Sequence, residues 1–215
     1  KAIINERDDK KLAVSVLNKM DELVSNSQFP MPYYTSYEIS ELYKNLGDKD
    51  QALKYRQIAL ADLNTIVNND DIEARIKMME ATQRIMGPHR LTAMIYSDNK
   101  QFMEAREVTK KFIQFLNKYQ NAAPDAQSQQ MIQVGILDAE LQLAEYDIDE
   151  LVGKKKYKEA LDVIYKTINK YSQDGQEMIT NYVSERLKGK AQEIKILTGE
   201  IDTTAQLPQQ ISIVN

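Results

Sequence analysis

His89 is the only imidazole in the chain, and it stands beside Gly87 and Pro88. No two-histidine metal motif can be built from it, and with no cysteine present a zinc site would have to be completed by carboxylates. As the base of a serine nucleophile it would need a Gly-x-Ser-x-Gly elbow to expose the hydroxyl, and the chain has none. His89 therefore reads as a residue of a helix start or turn. Carboxylates are abundant: Glu140, Glu145, Asp147, Asp149 and Glu150 crowd one stretch, where two on a common helical face could share acid and base duties. With 28 Lys and Arg against 32 Asp and Glu, the simpler expectation is solvated charge and surface pairing with lysines. Gly153 followed by Lys154 lacks the earlier glycine and the following hydroxyl of a phosphate loop. The run Lys154, Lys155, Lys156 reads as a solvated turn and first helical turn. No catalytic residue, no cofactor and no metal ligand is expected.

The elements that must position these residues are helices. Glycine and proline number only 7 and 5, and they separate long stretches of Ala, Leu, Glu, Lys, Gln and Met. Residues 8–24 carry Leu12, Val16, Leu17, Met20 and Leu23 at helical spacing, and Pro30 and Pro32 then force an extended approach. A helix is expected over 35–46, opened by a Thr35–Glu38 capping box and stopped by Gly47. A second is expected over 49–66, opened by Asp48 and Gln51, and so short a turn makes the two antiparallel neighbours. Further helices are predicted over 72–85, 89–96, 102–119, 128–152, 155–171 and 175–197, with 120–126 as the clearest linker. The stretch 128–152 would make a helix about 37 Å long, in which Gly135 marks a weak point or a close approach. Met78, Met79, Met86, Met94 and Met103 are expected in the core. The reading is one helical domain over 1–199, with a subdivision near 120–126, followed by an extended or disordered tail over 200–215.

A net charge of −4 argues against a nucleic-acid surface. No apolar run reaches the length that spans a bilayer. Absence of cysteine excludes disulfides but leaves the compartment open, since reducing and oxidising surroundings both tolerate it. The polar opening KAIINERDDK and the closing ISIVN lead to the expectation of a fragment or processed form.

Internal similarity is the more informative signal. Tyr43, Gly47 four residues on, Ala52 five further and Ala59 seven further make up Y-x3-G-x4-A-x6-A within residues 33–60, which resembles a tetratricopeptide repeat. Weaker echoes follow: Tyr96, Ala105 and Phe112, with Lys100 in the place of glycine, and then Tyr157, Ala160 and Leu161. Ala13 in DDKKLAVSVL resembles the second half of a repeat whose first half is missing. Successive key alanines, Ala13, Ala52, Ala105 and Ala160, lie 39, 53 and 55 residues apart. That exceeds the family's period, so long helices must interrupt the stack. The resemblance implies an all-α fold of antiparallel hairpins stacked as a degenerate tetratricopeptide-like superhelix. It also implies a non-catalytic interaction or scaffold module for a protein or peptide segment, with the groove-facing positions falling on Tyr34, Tyr37, Glu41 and Lys44. These mixed aromatic and charged residues differ from the Lys and Asn clamp of family members that hold a C-terminal carboxylate.

Residues 13–55 also resemble the soluble C-terminal repeat region of glycosyltransferase-like multipass membrane proteins of Bacteroidetes. That resemblance implies a periplasmic accessory domain of a membrane-anchored parent, and it carries over no catalytic residue. A purely structural oligomerisation domain is the third reading. Partner identity and oligomeric state stay open.

Overall fold

The computed structural model describes residues 10–23, 29–69, 87–120, 125–172 and 177–200. Among the described residues all regular structure is helical, without strands. The helices are α1 (Lys10–Leu23), α2 (Tyr33–Leu46), α3 (Lys49–Val67), α4 (Pro88–Asp98), α5 (Phe102–Gln120), α6 (Ala126–Gly153), α7 (Tyr157–Ser172) and α8 (Glu177–Leu197). The all-α class expected from composition is thus what the structure shows. The helix expected over 72–85, with Met78, Met79 and Met86, lies outside the described residues, as do 121–124 of the expected linker and 201–215 of the expected tail.

One local expectation fails. The Thr35–Glu38 capping box is not formed, because α2 begins two residues earlier. Pro32 closes its start, its carbonyl accepting from the N–H groups of Thr35 and Ser36 at 2.9 and 3.1 Å. The Tyr33 N–H donates instead to Asp62 Oδ2 at 2.9 Å, a carboxylate of α3 that local sequence could not bring to the site. By contrast, Asp48 caps α3 as its spacing predicts, accepting from the Gln51 N–H at 3.2 Å.

Three helix junctions have one geometry. Gly47, Lys100 and Lys155 take positive φ values of 86°, 63° and 57°. At each, the N–H of the positive-φ residue donates three residues back, to Lys44, Ser97 and Val152. The next N–H donates five back, to Tyr43, Tyr96 and Leu151, all at 2.9 to 3.0 Å. These are paired bonds of the Schellman type, which satisfy carbonyls that the helix end leaves open. Five residues past each turn stands an alanine, Ala52, Ala105 or Ala160, each at most 6% exposed. Lysine in the left-handed region costs about 1 kcal/mol that glycine does not. The glycine missing at position 100 therefore did not abolish the turn.

The chain divides into two compact units, 1–108 and 109–215, with the division inside α5. In the first, α2 lies along α3, α3 along α4, and α1 along α2. Its core is Tyr33, Ala59, Leu63, Ile66, Leu91 and Ile95, joined by a second cluster around Ile39, Tyr43, Ala52 and Tyr55. The rings of Tyr43 and Tyr55 stack at 5.8 Å beside Ala52, so the small residue and the paired rings together set the α2–α3 crossing. Met94 packs on this core, whereas Met103 is 67% exposed, so the expectation of buried methionines fails there. In the second unit α7 lies along both α6 and α8 around Leu141, Ile148, Ala160, Ile164, Val183, Leu187 and Ile194. A Cβ at Gly135 would meet Leu116 Cδ1 at 3.3 Å, so this position is a close approach.

Candidate functional site

Tyr34, Tyr37, Glu41 and Lys44 are spaced three, four and three apart along α2, which places them along one side of that helix. The structure gives them different environments. Tyr34 is 38% exposed, its ring edge-on to Tyr33 at 5.6 Å. Tyr37 is half-buried and packs on the core formed with α3 and α4. Burial pushes its hydroxyl up to about 12, with Glu41 adding to the rise, Arg56 opposing it and Asp98 adding again. Glu41 is half-buried and Lys44 is exposed.

Two residues that the sequence does not mark as functional complete the arrangement. Arg56 of α3 is 8% exposed, and its Nη2 donates to Glu41 at 2.6 Å and to Asp98 of α4 at 3.2 Å. Lys44 Nζ lies 3.5 Å from Glu41 and 3.7 Å from Asp98. Two carboxylates and two bases from three helices thus form one charge-balanced cluster beside two tyrosines. The guanidinium is held within the helix seam while the lysine remains in water. Arg56 Nε is buried without a hydrogen-bond partner, an unsatisfied donor of a kind native interiors seldom keep. The one sequence signal for this role was an arginine within the apolar side of 49–66, four residues after Ala52 and three before Ala59. Nothing in sequence marked Asp98 as its acceptor.

The arrangement can offer ring surface at Tyr34, a cation at Lys44 and fixed acceptors at Glu41 and Asp98. A separate opening of about 650 Å³ is lined by Met31, Pro32, Ile58, Ala61, Asp62 and neighbours, and it includes none of the four.

The residues weighed for catalysis are engaged in structure. His89 is 3% exposed in the first turn of α4. Glu145 accepts from Arg186 Nε and Nη2 at 2.8 and 2.9 Å. Arg186 also bonds Asp138 and Tyr182, and Lys190 donates to Asp149. Glu140 accepts from Tyr171 Oη at 2.5 Å and Lys170 at 3.2 Å, and Glu150 accepts from Lys154 at 2.6 Å. Pairing was expected with lysines, but Arg186 of α8 is the strongest partner, reaching α6 with a two-pronged geometry that lysine cannot make. Hydrogen bonding to Glu145 raises the Arg186 pKa against the cost of burial. Among the described residues no group of three or more His, Asp or Glu could hold a metal ion. No described helix is long and apolar enough to cross a membrane. No protein-family model, curated protein or solved structure matches the chain.

Proposed function

We propose that the chain is a non-catalytic interaction module, a degenerate tetratricopeptide-like stack of antiparallel hairpins that takes a protein or peptide segment along the Tyr34–Lys44 side of α2. The observation that carries this reading is the turn at the three helix junctions Gly47, Lys100 and Lys155, each followed after five residues by a buried alanine; the same paired bonds also end α8 at Gly199. A hairpin unit that closes in the same way each time is how repeat proteins build extended binding faces. The pairing of Glu140, Glu145, Asp149 and Glu150 with bases and Tyr171 supports a non-catalytic role for that stretch.

On this reading Tyr34 supplies the apolar contact and Lys44 a donor for carbonyl or carboxylate groups of the segment. Tyr37 and Glu41, anchored by the core and by Arg56, set its register. Because the cluster is charge-balanced, the segment it suits is mixed in polarity and not strongly charged. The appendage implied by the second resemblance fits the same face, the bound segment then belonging to the parent polypeptide on the periplasmic side.

The test is selection of binders from a displayed peptide library, followed by titration of the enriched peptide against the native chain and against Tyr34→Ala with Lys44→Ala. Both positions are exposed, so the variant should unfold at the native temperature. Binding should weaken tenfold or more, equivalent to about 1.4 kcal/mol. Undiminished affinity in the folded variant would remove this face from the proposal.

A further inference from the structure

Helices α6 and α8 run in the same direction, because the positions that meet rise together: Asp138 with Tyr182, Glu145 with Arg186, and Asp149 with Lys190. Tyr182 Oη donates to Asp138 Oδ1 at 3.2 Å. One helical turn before that pair stand Val134 on α6 and Met178 on α8, and Met131 lies a further turn back on the same side of α6. All four apolar side chains face water: Val134 is 57% exposed, Met131 67%, Met178 85% and Tyr182 45%. Another side of α6 ties this stretch to its own unit, through buried Ile132 and Ala139 and through Gly135 against Leu116. The last turn of α7 meets α6 at Glu140, through Lys170 and Tyr171, so Met131 and Val134 stand on α6 beyond that meeting point.

The surroundings of these side chains select the occupant. Charged residues make up 28% of the chain, yet none stands between Asp125 and Asp138. Gln127 and Gln130, four residues before Met131 and Val134, are exposed on the same side of the helix. A carboxamide both donates and accepts, so it can pair with its own copy, which a carboxylate or an ammonium group cannot. Copies of a chain with a net charge of −4 repel one another, and an uncharged face is where their approach costs least. Interface centres also gather methionine and tyrosine and are depleted in charge.

We propose that the face made by Met131, Val134, Met178 and Tyr182 binds a second copy of this chain about a two-fold axis, with Met131 of one copy against Val134 of the other. Such an axis uses each complementary contact twice and asks the face to match only itself. The Gln127 and Gln130 amides border the contact. A few apolar side chains from each copy make an interface at the small end of specific contacts, so the dimer dissociates in the micromolar range. This inference does not rest on peptide binding at α2, so the two proposals fail separately.

Sedimentation velocity of the whole chain over a concentration series tests it, with the double variants Met131→Glu, Val134→Glu and Met131→Lys, Val134→Lys. Both positions are exposed, so circular dichroism should show native helix content in each. The native chain should dimerise with a dissociation constant below about 100 μM. Each variant alone should dimerise at least tenfold more weakly, because like charges then meet across the axis. An equimolar mixture of the two should regain the dimer, because Glu then faces Lys. Met178→Glu on α8 should also weaken dimerisation, which keeps the test decisive if α6 loses helix in the double variants. A native chain that stays monomeric would overturn the proposal and leave the face to a different polypeptide. Undiminished dimers in the Glu variant would place the second copy on another surface, and a mixture that stays monomeric would show that this face does not meet itself.

Discussion

Two arginines, one in each unit, show different uses of the same side chain. Arg186 sends Nε and Nη2 to both oxygens of Glu145 and Nη1 to Asp138, and its side chain keeps 22% of its surface in water. Arg56 is buried more deeply, at 10% for the side chain, yet uses only Nη2 for its two carboxylates and leaves Nε without a partner. Burial and satisfaction therefore run in opposite order. A guanidinium that is fully engaged returns in hydrogen bonds what it loses in hydration, whereas an orphaned donor keeps part of that loss. The first arrangement ties α6 to α8; the second holds Glu41 and Asp98 in register across α2, α3 and α4 at a cost in stability.

Methionine at each position, of similar length and without charge, should separate the two. Arg186→Met leaves Glu145 and Asp138, only 18% and 15% exposed, without their guanidinium, and should cost about 3 kcal/mol in urea unfolding. A loss below about 1 kcal/mol would mean that water already carries those carboxylates. Next in size is Ala52→Leu, expected to cost about 1 to 3 kcal/mol by overpacking the seam beside the stacked Tyr43 and Tyr55. Unchanged unfolding would show that α2 and α3 do not cross closely there. Arg56→Met should cost about 1 kcal/mol or less, because the orphaned donor disappears with the charge, Lys44 still serves Glu41, and both carboxylates are about one-third exposed. A loss equal to that of Arg186→Met would erase the contrast between the units.

The smallest effect is one of pH. Asp21 of α1 accepts from Lys54 Nζ at 2.5 Å and from Tyr55 Oη at 2.6 Å. The hydrogen bond from Lys54, then that from Tyr55, holds its carboxyl below the usual 3.8. A depressed folded pKa contributes stability that is present in full above 3.8 and is lost as pH falls through the folded value. Between about pH 5 and pH 2.5 the urea midpoint of Asp21→Asn should accordingly fall less than that of the native chain. Parallel slopes would show that Asp21 does not link α1 to α3.

Much of the fold was legible in the sequence. The 49–66 expectation became Lys49–Val67 because Asp48 caps locally and Gly47 can turn locally, so every residue needed was within five positions. The long stretch 128–152 became Ala126–Gly153 for a similar reason, Asp125 accepting from the Ser128 N–H at 2.7 Å. The start of α2 was not legible, since its free N–H is taken by Asp62, 29 residues away. At the site, the common face of Tyr34, Tyr37, Glu41 and Lys44 follows from helical spacing alone. Their unequal exposure does not, because α4 supplies the core against Tyr37 and the carboxylate at Asp98.

By itself, then, the sequence determined what depends on neighbours a few positions apart: the helices, the Asp48 cap of α3, and the turns that put a small alanine five residues later. Position 100 marks the edge of that power, since Lys100 adopts the turn that glycine would have signalled. Only the tertiary structure decided which charges meet. Arg56 with Glu41 and Asp98, and Arg186 with Glu145 and Asp138, join residues 15 to 48 positions apart. Their choice of partner depends on which helix faces come together and how far each is removed from water, and no local pattern encodes either quantity.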